Sequence, residues 1–337
     1  MSRSDHVVVQ TTHSPPGLGP VLGAPISETL GRKWVYLTTM PIMILFTMGA
    51  GLSQNIGSLL VCRFFSALFG APAVAVGAGS VADLWDMQQG GGIAGMFFIL
   101  MPFLGSSIAP LVGGYLVQDM ADWRWTMWIL IIISGPAWVS SFFLRETSQK
   151  IILGKRALAR GMTTPPKPPP KEAIRLLLMV TLFRPIHMLL TEPIIGWMSL
   201  YVAFAFGILF AFFDAFPYVF ANLYGFDLGQ VGLTYLGIIV GILSAAIAFA
   251  VVDKTIYAKA KLRVTDPGKI PPPEERLYVC MIGSVMLPVS LFWFGWTSKV
   301  SIHWIVPVLA GWPFGCGLVL LFVSFAVPLT MFLYVSS

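Results

Sequence analysis

Charge is what this chain of 337 residues has least of: Asp, Glu, Lys and Arg together make up 11% of it, where soluble globular domains carry about 25%. With 56% hydrophobic residues and a mean hydropathy of +0.80, that scarcity excludes a soluble domain and predicts an all-α, polytopic membrane protein. Cysteine is nearly absent too. Cys62, Cys280 and Cys316 stand singly in apolar runs without CxxC spacing, so neither a disulfide framework nor a zinc site is indicated. The four histidines, His6, His13, His187 and His303, are scattered without ligand spacing, and the HExxH and GxSxG signatures do not occur. These absences argue against an enzyme and against a metal or cofactor site. The first sixteen residues lack the apolar core of a signal peptide, so insertion is expected to start from an internal span. The net charge of +6 would suggest nucleic acid in a soluble chain. Here the cations lie in connections between apolar runs, where orientation in a bilayer accounts for them, and no nucleic-acid partner is expected.

Eight apolar runs are long enough to cross a hydrocarbon core: residues 34–53, 56–81, 91–117, 125–144, 193–219, 229–252, 277–296 and 302–327. A shorter piece, 17–30, reads as a half span, since about 14 residues at ~1.5 Å each fall short of a core ~30 Å thick. Between the fourth and fifth runs lies the longest polar stretch, Arg145 to Thr191, with Arg145, Lys150, Lys155, Arg156, Arg160, Lys167, Lys171, Arg175 and Arg184. Its middle, Pro165 to Pro170, favours extended polyproline structure, and the flanking segments IILGKRALAR and EAIRLLLMV suit short amphipathic helices on the bilayer surface.

Counting cations by alternate connections sets the orientation. Arg32 and Lys33, the nine of the central stretch, and Lys254, Lys259, Lys261, Arg263, Lys269 and Arg276 all fall on one side, against Arg124 and Lys299 on the other. The basic side is the cytoplasmic one, because cationic flanks resist translocation. One connection on that side, ADLWDMQQGGG, carries Asp83 and Asp86 and no cation. Trp123, Trp125 and Trp128, and again Trp293, Trp296 and Trp304, cluster where the opposite connections meet the membrane, as interfacial anchors do.

Charges inside spans are the default places to look for function, and two qualify: Arg63 in LLVCRFFSALFG and Asp214 in LFAFFDAFPYVF. The bland reading of each is a paired or snorkelling charge. The functional reading is an acid that takes and releases a proton, with a cation tuning that acid or an anionic substrate. In the third run, Gly105, Ala109, Gly113 and Gly114 are spaced to make a flat face for close helix contact, and Pro110 removes a donor mid-helix.

At this point the residues carry a resemblance. Gly23, Pro25, Ser27, Glu28, Gly31, Arg32 and Lys33 resemble the cytoplasmic signature between the second and third spans of major facilitator transporters, with Ser-Glu where small-Asp is common. Arg63 with Gly70 resembles the fourth-span arginine signature, although Ser66 and Ala67 stand where Gln-Gly is usual. Gly105, Pro110, Gly113 and Gly114 resemble the fifth-span antiporter signature, with Ser106 and Ala109 where Pro and Gly are common. WRWTMW from Trp123, FFDAFPYVFANLYGFDLGQVGL from Phe212 and LFWFGWTSKVSIHW from Leu291 are similar to the twelve-span fungal drug:proton antiporter subfamily.

The resemblance implies two helical bundles, here incomplete, at about eight full spans and a half. A polar stub at 1–16 would precede a partial N-terminal bundle at 17–144, equivalent to family spans 2–6. The central cytoplasmic loop at 145–192 would lead to a partial C-terminal bundle at 193–327, spans 7–10, and a tail at 328–337 that leaves the pattern. Both ends are expected to be truncated. It further implies proton-coupled export of small organic compounds, of the multidrug or toxin efflux type, by alternating access. The energy source would be a proton gradient rather than a cofactor; the partners would be the lipid bilayer, protons and a small organic substrate, and a complete relative would work as a monomer. Arg32 and Lys33, with Glu28 and Asp83 or Asp86, would form a cytoplasmic charge latch, and Asp214 keeps an acid where close relatives usually have Glu. The membrane would be the plasma membrane or, alternatively, that of the vacuole. The alternative function is a non-transporting remnant, or a fragment that associates with an intact membrane protein.

Overall fold

The computed structural model describes residues 19–20, 23, 26–27, 29, 31–85, 91–161, 179, 184–257 and 277–335. The expected polyproline tract, residues 162–178 and 180–183 of the central basic loop, the basic connection 258–276, Pro25, Glu28 and Asp86 lie outside the described residues. Among those described, no strand occurs. The helices are α1 (Arg32–Gly51), α2 (Ile56–Gly70), α3 (Pro72–Leu84), α4 (Gly91–Met120), α5 (Trp125–Ser141), α6 (Gln149–Ala159) and α7 (Arg184–Thr191), then α8 (Pro193–Asn222), α9 (Leu228–Thr234), α10 (Leu236–Val252), α11 (Leu277–Thr297), α12 (Ile305–Leu309) and α13 (Gly311–Val335).

Among the described residues, seven stretches are long and apolar enough to cross a membrane: Arg32–Gly51, Ile56–Leu84, Ile93–Met120, Ile195–Asn222, Leu228–Thr255, Tyr278–Thr297 and Ile305–Ser324. The run expected at 125–144 forms the shorter α5, of 17 residues, at the lower limit for a span. It stops early because Phe142 to Leu144 unwind, which carries Glu146 to the start of α1. The second stretch breaks at Ala71, where Pro72 has no N–H to continue the α2 ladder.

The chain forms two compact units, Met1–Leu84 with Asp122–Met198 and Trp85–Ala121 with Ser199–Ser337. In the first, α1 packs on α2, α3 and α5. Ala50, Leu59 and Met127 form a small core with Cys62 against it, Phe46 stacks on Phe65 at 5.0 Å, and Thr47 and Ser66 pair their hydroxyls at 2.7 Å. In the second, α13 packs against both α10 and α11, and α4 lies against α9, α10 and α13. The helix 91–120, grouped by the sequence with the N-terminal runs, thus belongs to this unit.

Lipid tails are as apolar as leucine, so helices in a bilayer associate through close packing at small residues. The second unit shows where. A Cβ on Gly237 of α10 would meet the Val308 carbonyl oxygen, one on Gly241 the Trp312 carbonyl oxygen, and one on Gly315 of α13 the Ile238 carbonyl oxygen. Gly283 of α11 and Gly317 of α13 face each other likewise, each close to the other's carbonyl oxygen, at 2.7 and 3.0 Å from a Cβ built there. Around these crossings sits an aromatic core in which Phe212 stacks on Phe314 at 3.9 Å and Phe216 on Phe294 at 5.0 Å.

Candidate functional site

Of the residues singled out in the sequence, those around the start of α1 are brought together most tightly. Arg32 Nε lies 3.2 Å from Asp83 Oδ2 at the end of α3, and its Nη1 donates to Ser27 Oγ at 2.7 Å. Both members of the ion pair are largely covered, with side chains 14% and 21% exposed, and Ser27 is fully buried. The guanidinium crosses Gly79, where an added Cβ would come within 2.5 Å of it. Lys33 Nζ donates to the Phe142 carbonyl at 2.8 Å. Gly31 has φ of +110°, a conformation side chains disfavour, and a Cβ there would meet the Glu146 carboxylate. Gly23 lies against Pro72, whose Cβ would be 2.5 Å from a Cβ built on Gly23.

Sequence reasoning did not name Glu146, which organises the cluster. Its Oε1 accepts the backbone N–H of Arg32 at 2.8 Å and those of Thr147 and Ser148 at 3.1 Å each, and its Oε2 accepts the N–H of Lys33 at 3.3 Å. The first N–H groups of a helix have no intrahelical partner, and negative charge there is favourable. Glu146 supplies both the acceptors and the charge from 114 positions away. The only signal in the sequence was an acid immediately after Arg145 at the end of an apolar run. Chemically, two carboxylates and an arginine tie the start of α1, the end of α3 and the segment after α5 together.

Arg63 sits on α2, half-buried, and among the described residues it has no hydrogen bond or ion pair. Asp214 is exposed on α8 in the other unit, likewise without a hydrogen bond or ion pair among the described residues. It is the only charged residue of that 30-residue helix. The small-residue stripe of α4 is used only in part. A Cβ built on Gly114 would lie 2.5 Å from the Leu228 carbonyl oxygen, and one built on Gly232 2.9 Å from the Pro110 carbonyl oxygen, whereas nothing lies within 4 Å of a Cβ at Gly105 or Gly113 and Ala109 is exposed. The glycines that permit this approach are therefore largely those of α9. Gln118 of α4 completes the contact by accepting the Gly229 N–H at 2.8 Å.

Residues 14–334 match the family described as the Major Facilitator Superfamily. Polyamine transporter 4 of Saccharomyces cerevisiae is 38% identical over a region covering 91% of this chain and 50% of its own. Efflux pump FUB11 of Gibberella fujikuroi is 37% identical, over 91% of this chain and 54% of its own. The chain thus spans about half the length of these curated relatives. Among solved structures, the human organic anion transporter MFSD10 has the same fold, with a TM-score of 0.63 at 14% identity, covering 96% of this chain and 69% of that one.

Proposed function

The chain belongs to the Major Facilitator Superfamily, an integral multi-pass membrane family of transporters rather than enzymes, and on that premise we propose that it exports small organic compounds in exchange for protons by alternating access. The observation that carries the reading is Asp214, a lone carboxylate on a helix with no other charge. An ionisable group placed in a span at such a cost is kept for ion or substrate handling. Arg63, a cation in α2 without a partner among the described residues, is the second coupling candidate.

The cluster of Ser27, Gly31, Arg32, Lys33, Asp83 and Glu146 acts as the cytoplasmic latch, and Gly23, Pro25 and Glu28 complete its signature. Gly105, Ala109, Pro110, Gly113 and Gly114 form the antiporter-like face of α4, where Pro110 removes one backbone donor and so loosens the helix for movement. Relatives named as efflux pumps and as a polyamine transporter point to amphipathic or cationic organic substrates. A complete form works as a monomer, in the plasma membrane or else the vacuolar membrane.

The test is export from a host stripped of its own pumps. Cells making the chain should accumulate less of a fluorescent cationic dye and of spermidine than control cells. Collapsing the proton gradient, or the change Asp214→Asn, should erase the difference. Accumulation equal to that of control cells would remove the reading. In that case, dye export restored by co-expressing an intact relative would favour a fragment that works by association.

A further inference from the structure

Several of the described helices lose a hydrogen bond to an internal proline, and at two of these prolines, Pro41 and Pro217, the freed carbonyl is taken by an aromatic side chain. Pro217 within α8 has no N–H to offer the carbonyl four residues earlier, that of Phe213. The Tyr235 hydroxyl, from the joint between α9 and α10, donates to that oxygen at 2.7 Å. Pro41 within α1 likewise leaves the Leu37 carbonyl without its helical donor, and Trp138 Nε1 of α5 donates to it at 3.3 Å. Lipid offers no substitute donor, so each aromatic group satisfies a carbonyl that would otherwise stay unpaired.

The clamps differ in what lies beside them. Asp214 directly follows Phe213, whereas Thr38 follows Leu37 and turns its hydroxyl back to the Trp34 carbonyl at 2.9 Å. Tyr235 is buried, at 2% exposed, with its ring 5.5 Å from that of Phe213 and 5.4 Å from that of Phe216. Those contacts hold the hydroxyl in place, and the Asp214 carboxylate lies within electrostatic reach of it. Asp214 itself has no hydrogen bond or ion pair among the described residues, so the backbone beside the freed Phe213 carbonyl sets where its carboxylate points.

We propose that Tyr235 is the positioning residue of Asp214: by holding the Phe213 carbonyl that Pro217 leaves free, its hydroxyl fixes the backbone there and with it the direction of the carboxylate. This deepens the proton-exchange reading, on which the importance of Asp214 rests, but the geometry can be tested without transport.

The experiment takes the full chain in lipid nanodiscs and a hydrophobic carbodiimide, which converts a carboxylic acid to a stable N-acylurea, with the rate at Asp214 followed by peptide mass spectrometry. Tyr235→Phe, which removes one oxygen atom, should change that rate about threefold or more, while Trp138→Phe, which breaks the clamp without a neighbouring acid, should leave it within about twofold. Pro217→Ala restores an N–H to the Phe213 carbonyl, so in that background Tyr235→Phe should have almost no effect. An unchanged rate in Tyr235→Phe, or the same change with and without Pro217, overturns the proposal. If Tyr235→Phe fails to fold, rescue of folding by Pro217→Ala supports the clamp and absence of rescue counts against it. A chain that exports nothing yet shows the labelling pattern keeps the clamp and loses proton exchange. An active exporter with unchanged labelling does the reverse.

Discussion

Replacing Glu146 with glutamine tests the cluster at the start of α1 most sharply, because it keeps the size of the side chain and removes its charge. The carboxylate accepts four N–H groups, from Arg32, Lys33, Thr147 and Ser148. With its one oxygen in the Oε1 position, a glutamine retains three of them and turns an NH2 group toward the N–H of Lys33. A hydrogen bond to a charged group contributes ~1.5–3 kcal/mol, and charge at a helix N-terminus ~0.3–1 kcal/mol where partly exposed. Partial exposure of Glu146 favours the lower end, so the change should cost about 2 kcal/mol, or about thirtyfold in the opening equilibrium of the first turn of α1. Hydrogen exchange read by mass spectrometry on the peptide that contains Arg32 and Lys33 should show protection reduced by about that factor. Exchange in α10 should stay unchanged. Unaltered protection at Arg32 and Lys33, or an equal loss in both places, would refute the assignment of Glu146 as the cap.

Gly241→Leu should prevent the close crossing of α10 on α13, since a Cβ there meets the Trp312 carbonyl oxygen; a loss of about 3 kcal/mol or more is expected, read as aggregation on size exclusion. Gly105→Ala, with nothing within 4 Å of its Cβ, should leave the melting temperature within about a degree, because no contact is disturbed. Arg63→Leu removes from a span a cation that has no partner among the described residues, so it should stabilise the chain, by up to ~3 kcal/mol, while reducing export more than tenfold if Arg63 serves coupling. A lower melting temperature would show that Arg63 has a structural partner. Arg32→Lys keeps the charge but not the fork that reaches both Asp83 and Ser27, and should cost ~1–2 kcal/mol, read as a lower melting temperature.

The spans were legible because the bilayer imposes one length and one polarity on every crossing helix. The run that came out short, α5, did so where the chain gives up helix to carry Glu146 to the start of α1, and no local pattern announces such a need. The charges of the latch were legible in part. Arg32 and Asp83 stood out as opposite charges on one side of the membrane, whereas Glu146 was hidden among the many charges of the polar stretch that follows it. The small-residue stripe of α4 misled for a related reason. Spacing shows which residues share a face, but the approach to α9 is set by Gly229 and Gly232, across the contact. Tyr235 carries no charge and belongs to no signature, and only the unpaired carbonyl it serves gives it a role.

The most direct measurement is dye uptake into sealed lipid vesicles that hold the purified chain and an acidic interior. The account predicts saturable uptake that a protonophore abolishes and that falls to the level of protein-free vesicles in Asp214→Asn. Equal uptake by the unaltered chain, the Asp214→Asn variant and protein-free vesicles would contradict it.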